Sequence, residues 1–148
     1  ADYTTHYSSS RLSYNEVEAL KFLSEQEKGL VLSPVFNRNH GLASPKPLYD
    51  YVSTPYISAF SGQNEFLSDT INLEIMGIDY SERLKGVTRF YSTLDQSWAY
   101  NFLIQNNILY VYENQLQQMN LNPSQLNLIK IFDSSEVSLY KLDKHVKN

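Results

Sequence analysis

The chain has 148 residues, enough for one ordinary domain and too few for two independent cores. Leu, Ile, Val and Phe together supply 42 of them, which excludes the weakly hydrophobic class that stays disordered. Twelve Lys and Arg against sixteen Asp and Glu leave a formal charge of −4, a poor balance for a nucleic-acid binder.

Cysteine is absent, so disulfides, thiolate metal sites and Cys nucleophiles are excluded together. No apolar run approaches the ~20 residues that span a bilayer, so the chain itself is not expected to insert in a membrane. Ala1 to Ser10 is polar and carries no signal-peptide core. The load of Asn, Gln and Tyr is high, as a compositionally biased genome gives, or a surface that touches sugars.

In chain order, residues 1–12 read as a flexible segment or linker. Ser13-Tyr14-Asn15-Glu16 is a capping box, and Val17, Leu20 and Leu23 behind it predict an amphipathic helix ended by Gly29. Leu30 to Ser33 is a short buried strand. A polar, Pro-broken loop follows over residues 37–53, the length of loop that is mobile or functional. Thr54-Pro55 and Gly62 bracket a short helix, Tyr56 to Ser61, and Glu65 to Ser68 reads as a second strand. Ile71 to Met76 has mixed periodicity.

Asp79-Tyr80-Ser81-Glu82 repeats the capping pattern and opens a helix with Leu84, Val87, Phe90 and Tyr91 on one side. Gly86 inside it costs about 1 kcal/mol against Ala, so packing must hold this helix. Asp95 caps another helix, with Trp98, Phe102 and Leu103 on one face, ending at Asn106-Asn107. Ile108 to Tyr112 is the clearest central strand. Gln115 to Asn120 and Pro123 to Leu126 are expected to be helical turns. Leu128 to Phe132 and Val137 to Leu142 form a hairpin, before a tail over residues 143–148. This order predicts a single α/β domain over residues 13–142. It would be a small Rossmann-like three-layer sandwich, mostly parallel, with a C-terminal antiparallel hairpin.

The residues that carry chemistry are sparse. The five glycines (29, 41, 62, 77 and 86) form neither a dinucleotide fingerprint nor a P-loop, so no cofactor is expected. His6, His40 and His145 do not pair at ligand spacing, so no metal is expected. Asp50, Glu65, Asp69 and Glu74 could supply carboxylates, but no nucleophile with its base accompanies them, and no catalytic residue is assigned. The candidate ligand-binding residues lie in the long loop: Asn37, Arg38, Asn39, His40, Tyr49 and Tyr51. Loops leaving the carboxyl ends of strands are where α/β sheets collect ligands.

Several segments together resemble a known family. They are the helix Glu16-Val17-Glu18-Ala19-Leu20-Lys21-Phe22-Leu23, the strand Gly29-Leu30-Val31-Leu32-Ser33-Pro34, and the stretch Pro55 to Gly62. Further on are Arg83 to Tyr91, Phe102-Leu103 leading into Ile108-Leu109-Tyr110-Val111-Tyr112-Glu113, and the closing strands 128–132 and 136–142. Over residues 13–142 the chain resembles the soluble, extracytoplasmic C-terminal domain of polytopic bacterial membrane proteins related to C-type glycosyltransferases, which use lipid-linked sugars. The resemblance implies a non-catalytic accessory domain at the extracellular face of the plasma membrane, with the catalytic acid in a transmembrane portion of the same protein. The implied partners are that portion and a glycan or cell-envelope polymer. A free-standing carbohydrate- or ligand-binding module is the alternative, and a small soluble hydrolase a third reading.

Overall fold

The computed structural model describes residues 10–11, 13–34, 46–47, 56–67, 77, 79–115 and 117–144. Helix α1 (Tyr14–Ser24) opens with the expected capping box: Ser13 Oγ accepts from Glu16 N and Glu16 Oε2 from Ser13 N, each at 3.2 Å. Its buried face is Glu16, Ala19, Leu20 and Leu23, whereas Val17, expected inside, is 45% exposed. The helix stops at Glu25 rather than at Gly29, which lies further on, against strand β2 (Leu30–Leu32).

Gly29 has a different purpose. A Cβ there would lie 2.4 Å from Leu109 Cδ2 and 2.7 Å from Leu109 Cβ, so the missing side chain makes room for Leu109. Leu109 is the extra residue of a β-bulge in the central strand: Leu30 pairs with Ile108, but Val31 pairs with Tyr110.

A two-stranded parallel pair links β1 (Ser10–Arg11) to β3 (Lys46–Pro47). Helix α2 (Tyr56–Ser61) ends at Gly62, whose φ of +72° suits glycine and serves the expected stop. Strand β4 (Asn64–Glu65) begins one residue earlier than expected and ends at Glu65; Phe66 and Leu67 are buried beyond it, and Phe66 N still donates to Val31 O at 2.8 Å.

Helix α3 (Ser81–Ser92) buries Val87, Phe90 and Tyr91. The expected Asp79 capping box is not formed. Tyr80 occupies the cap without a side-chain bond, and Asp79 Oδ1 accepts instead from Ser81 N (3.0 Å) and Ser81 Oγ (2.7 Å). Asp95 does cap α4 (Gln96–Gln105), accepting from Trp98 N at 3.0 Å. Strand β5 (Ile108–Asn114) is buried along its length. No helix forms over the described residues between Gln115 and Asn120, contrary to expectation, because Glu113 Oε2 and Asn114 Oδ1 take the Met119 and Gln117 N–H groups instead. A 3₁₀ turn at Pro123–Leu126 then leads into the hairpin of β6 (Leu128–Asp133) and β7 (Val137–Leu142).

The larger sheet has five strands in the order β4-β2-β5-β7-β6. The β4–β2 and β2–β5 pairings are parallel, and β5–β7 and β7–β6 antiparallel. The sheet is therefore evenly mixed rather than mostly parallel. The reason is that the second hairpin strand, β7, enters beside β5 and leaves β6 on the outside, so the hairpin contributes two antiparallel pairings rather than one edge. One cluster joins Ala19, Leu20 and Leu23 of α1 and Ile57 of α2 to Val31, Tyr110, Tyr112, Val137 and Leu139. The other joins Val87, Phe90 and Tyr91 of α3 and Ala99 and Leu103 of α4 to Leu32, Ile108, Val111, Tyr140 and Leu142.

Two buried polar side chains lock the short parallel strands. Gln63, 1% exposed, donates from Nε2 to Leu23 O (3.1 Å), Glu27 O (3.2 Å) and Gln26 O (3.4 Å), and accepts from Gly29 N at 3.1 Å. The Tyr91 hydroxyl donates to Tyr112 O at 2.7 Å and lies 3.2 Å from Leu32 O, bridging β5 and β2.

Replacing Gln63 by Leu removes the acceptor of the Gly29 N–H and a donor to the Gln26 carbonyl, while Leu23 O keeps Gln26 N and Glu27 O keeps the Tyr110 hydroxyl; the expected cost is about 2 kcal/mol. Gly29→Ala is expected to cost roughly 1–3 kcal/mol by overpacking against Leu109. Urea unfolding checks both, as lowered midpoints with an unchanged slope.

Candidate functional site

The six loop residues singled out from the sequence (Asn37, Arg38, Asn39, His40, Tyr49 and Tyr51) lie outside the described residues, as do Asp50, Asp69, Glu74 and the three histidines. Of the four carboxylates considered, Glu65 is described. It closes β4, and its Oε1 accepts from Ser58 N at 3.0 Å in the first turn of α2. Burial pushes its pKa up to about 7, opposed by hydrogen bonds from the Ser58 and Ile57 backbone and the Ser33 hydroxyl. Ser33 follows β2, so the carboxyl and hydroxyl meet where these two parallel strands end. The carboxyl's partners are the groups that fasten α2 to the sheet.

Glu16 is a second buried carboxyl. Burial raises its pKa to about 7; the Ser13 backbone and side chain oppose the shift, and Glu136 adds to it. Ser13 Oγ also hydrogen-bonds Glu136 Oε2, tying the start of α1 to the hairpin turn. Glu16 Oε1 has no hydrogen-bond partner among the described residues.

A feature not anticipated from sequence is an open groove of about 410 Å³ along α3 and α4. Its wall is a ladder of five side chains. The Arg83 guanidinium lies over Phe66 (5.0 Å to the centroid), Phe66 stacks on Phe102 (5.6 Å, 15°), Phe102 on Trp98 (5.1 Å, 19°), and Arg89 covers Trp98 at 4.1 Å. Gly86 makes the ladder possible, since a Cβ there would lie 2.6 Å from Phe102 Cε2. The sequence marks Trp98 and Phe102 by their i, i+4 spacing, and Gly86 by standing inside a helix where Ala would serve better. Phe66 carried no such mark, because its neighbours in the ladder are distant in sequence.

A second hollow, of about 560 Å³, lies by Leu109, Ile129 and Ile131. There the Lys141 ammonium meets Glu27 Oε1 at 2.5 Å, and this contact raises the Lys141 pKa. Among the described residues no group of three or more His, Cys, Asp or Glu is placed to hold a metal ion, and no helix is long and apolar enough to cross a membrane.

No family model matches the chain, and no curated protein matches its sequence. Among solved structures it is similar to the C-terminal globular domain of oligosaccharyltransferase from Archaeoglobus fulgidus. The TM-score is 0.57 at 10% sequence identity, over 90% of this chain and 99% of that one. The likeness is one of fold, and it extends through nearly the whole of both chains.

The raised carboxyl pKa values make stability depend on pH. Unfolded, Glu16 and Glu65 titrate near 4.5; folded, near 7, so the folded chain holds more protons between those values. Their contribution is complete below pH 4.5 and is lost as pH rises through 7. The melting temperature is expected to fall between pH 5 and pH 8, with Glu16→Gln and Glu65→Gln each flattening the decline. Calorimetric melts across that range check this.

Proposed function

We propose that the chain is a non-catalytic accessory domain of a membrane glycosyltransferase-like protein. On this reading it stands at the extracellular face of the membrane and assists the binding of acceptor glycan or of a partner. The observation that carries the proposal is the shared fold with an oligosaccharyltransferase C-terminal domain over 90% of the chain. The family resemblance over residues 13–142 supports it independently, because it rests on local sequence rather than on backbone shape. The two core clusters, one with α1 and α2 and the other with α3 and α4, support an α/β sandwich of three layers as the architecture.

In this role the domain does no chemistry of its own. Transfer from a lipid-linked donor needs a centre that meets the membrane, with groups already oriented toward the developing charge. Those groups belong to the transmembrane part of the parent protein. Asn37, Arg38, Asn39, His40, Tyr49 and Tyr51, which follow β2 in the chain, are the residues assigned to acceptor glycan. Its polar amides and tyrosines suit hydroxyl groups and sugar faces.

Two outcomes are expected. The purified chain transfers no sugar from labelled lipid-linked or nucleotide-linked donors, while membranes carrying the parent protein do, and lose most of that transfer when residues 13–142 are deleted. Transfer by the purified chain, or full transfer by the deleted parent, contradicts the proposal. Tyr49→Ala with Tyr51→Ala is expected to weaken neutral oligosaccharide binding at least fivefold with the melting temperature unchanged; equal affinity in calorimetric titration contradicts the assignment of that loop.

A further inference from the structure

We infer that the groove between α3 and α4 is a binding site for an acidic oligosaccharide, with Arg83 and Arg89 as its two anion-reading groups. The inference rests on the accessory-domain reading for the choice of a glycan as the carrier of charge; the anion site itself rests on the groove's own geometry.

Two features of the arginines point to a ligand. First, neither forms an ion pair with a carboxylate among the described residues, although the chain carries more acids than bases. Glu82, which also lines the groove, is 3.6 Å from Lys85 instead. Second, both guanidiniums are held in place before any ligand arrives. Each lies over a ring, Arg83 5.0 Å from the Phe66 centroid and Arg89 4.1 Å from that of Trp98, and Arg83 Nη1 is fixed further by donating to Phe66 O at 2.9 Å. A guanidinium held over a ring spends no N–H on that contact, and the donors not used within the protein remain for a carboxylate, which a guanidinium can grip with two parallel hydrogen bonds. Holding the side chain in advance removes most of the ordering cost of binding.

The spacing selects the ligand. Arg83 and Arg89 cap opposite ends of the ladder, with the rings of Phe66, Phe102 and Trp98 between them. One small anion cannot bridge them, whereas a chain carrying acidic groups at intervals can. Between them the groove offers the edges of Trp98 and Phe102 and the side chain of Asn106, suited to ring C–H and hydroxyl groups. Its volume lies in the range of pockets that enclose small ligands, roughly 300–1,000 Å³. An anionic membrane is the weaker fit. Lipid-binding basic surfaces use clusters of about 4–8 Lys and Arg, whereas this groove has Arg83, Lys85 and Arg89, with Glu82 among them.

The chain's single tryptophan is Trp98, so its intrinsic fluorescence reports the groove directly. The experiment titrates the full chain with a hexamer of uronic acid residues, with a neutral glucose hexamer of the same length, and with phosphatidylglycerol vesicles. The expected result is a saturable change with the hexauronate that weakens as salt is added, and no change with the neutral hexamer. Arg83→Gln with Arg89→Gln is expected to weaken hexauronate binding at least tenfold. Arg83→Lys with Arg89→Lys keeps the charges and the fold and loses the fork, and is expected to weaken it three- to tenfold. The site is overturned by no response to hexauronate, by equal affinity in the charge-preserving variant, or by a response to vesicles alone, which would assign the arginines to lipid. Failure here with the parent protein still needing this domain for transfer removes the groove and leaves the accessory reading standing. Binding here with the domain dispensable for transfer does the reverse.

Discussion

The carboxamide of Gln63 is the contact on which the parallel half of the sheet depends. Helix α1 ends a few residues before β2 begins, so Leu23 O, the carbonyls of the connecting Gln26 and Glu27, and the Gly29 N–H lie where no strand ladder reaches them. One buried amide answers those three carbonyls and that N–H. Gln63 stands between Gly62 and β4, so the same residue fixes where β4 starts. Strands of two and three residues have few ladder bonds of their own. At the other end of β2 the Tyr91 hydroxyl acts likewise, reaching carbonyls of both β2 and β5 from a helix on the far side of the cluster. The parallel strands are short because side chains from elsewhere fasten their ends.

Elements whose identity rests on local pattern were legible in the sequence. Ile108 to Tyr112 is apolar at every position and is the middle strand of five. The capping box at Ser13, the Asp95 cap and the glycine stop at Gly62 also hold, since each is satisfied within a few residues. What could not be read was decided at a distance. Whether β6 or β7 lies beside β5 is not written in either strand, and that choice makes the sheet evenly mixed. The burial of Glu16 in place of Val17 depends on Glu136 and the hairpin turn, more than a hundred residues away. Gly29 looked like a helix stop; its real constraint, Leu109, is likewise remote. The groove was not legible: Trp98, Phe102 and Gly86 stood out only as features of helix packing, and Phe66 and the placement of Arg83 and Arg89 over rings are tertiary. The six loop residues Asn37, Arg38, Asn39, His40, Tyr49 and Tyr51, read from composition alone, lie outside the described residues.

Charge is distributed unevenly in a way composition conceals. Two carboxyls, Glu16 and Glu65, are taken inside, where burial favours their neutral form and backbone N–H groups hold them. Two guanidiniums, Arg83 and Arg89, are kept outside over aromatic rings, with no carboxylate paired to them among the described residues. The net charge of −4 thus describes the average surface and not the face formed by α3 and α4. Stacking keeps a cation exposed and ordered together, a combination that an ion pair with a flexible carboxylate would not give.

The pairing of β2 with β5 also dictates the order in which the molecule can be assembled. Leu30 meets Ile108 across about half of the chain's length, whereas β5, β6 and β7 follow one another in sequence, β6 and β7 pairing as a hairpin and β7 returning beside β5. Closing the long loop costs more entropy and is repaid late, so contacts between adjacent segments form faster. On a ribosome the N-terminal half emerges first, yet β2 then has no β5 to lie against and Leu109 is not there to fill the space over Gly29. The early half must wait, with its apolar face uncovered, for the last third of the chain to supply the centre of its sheet.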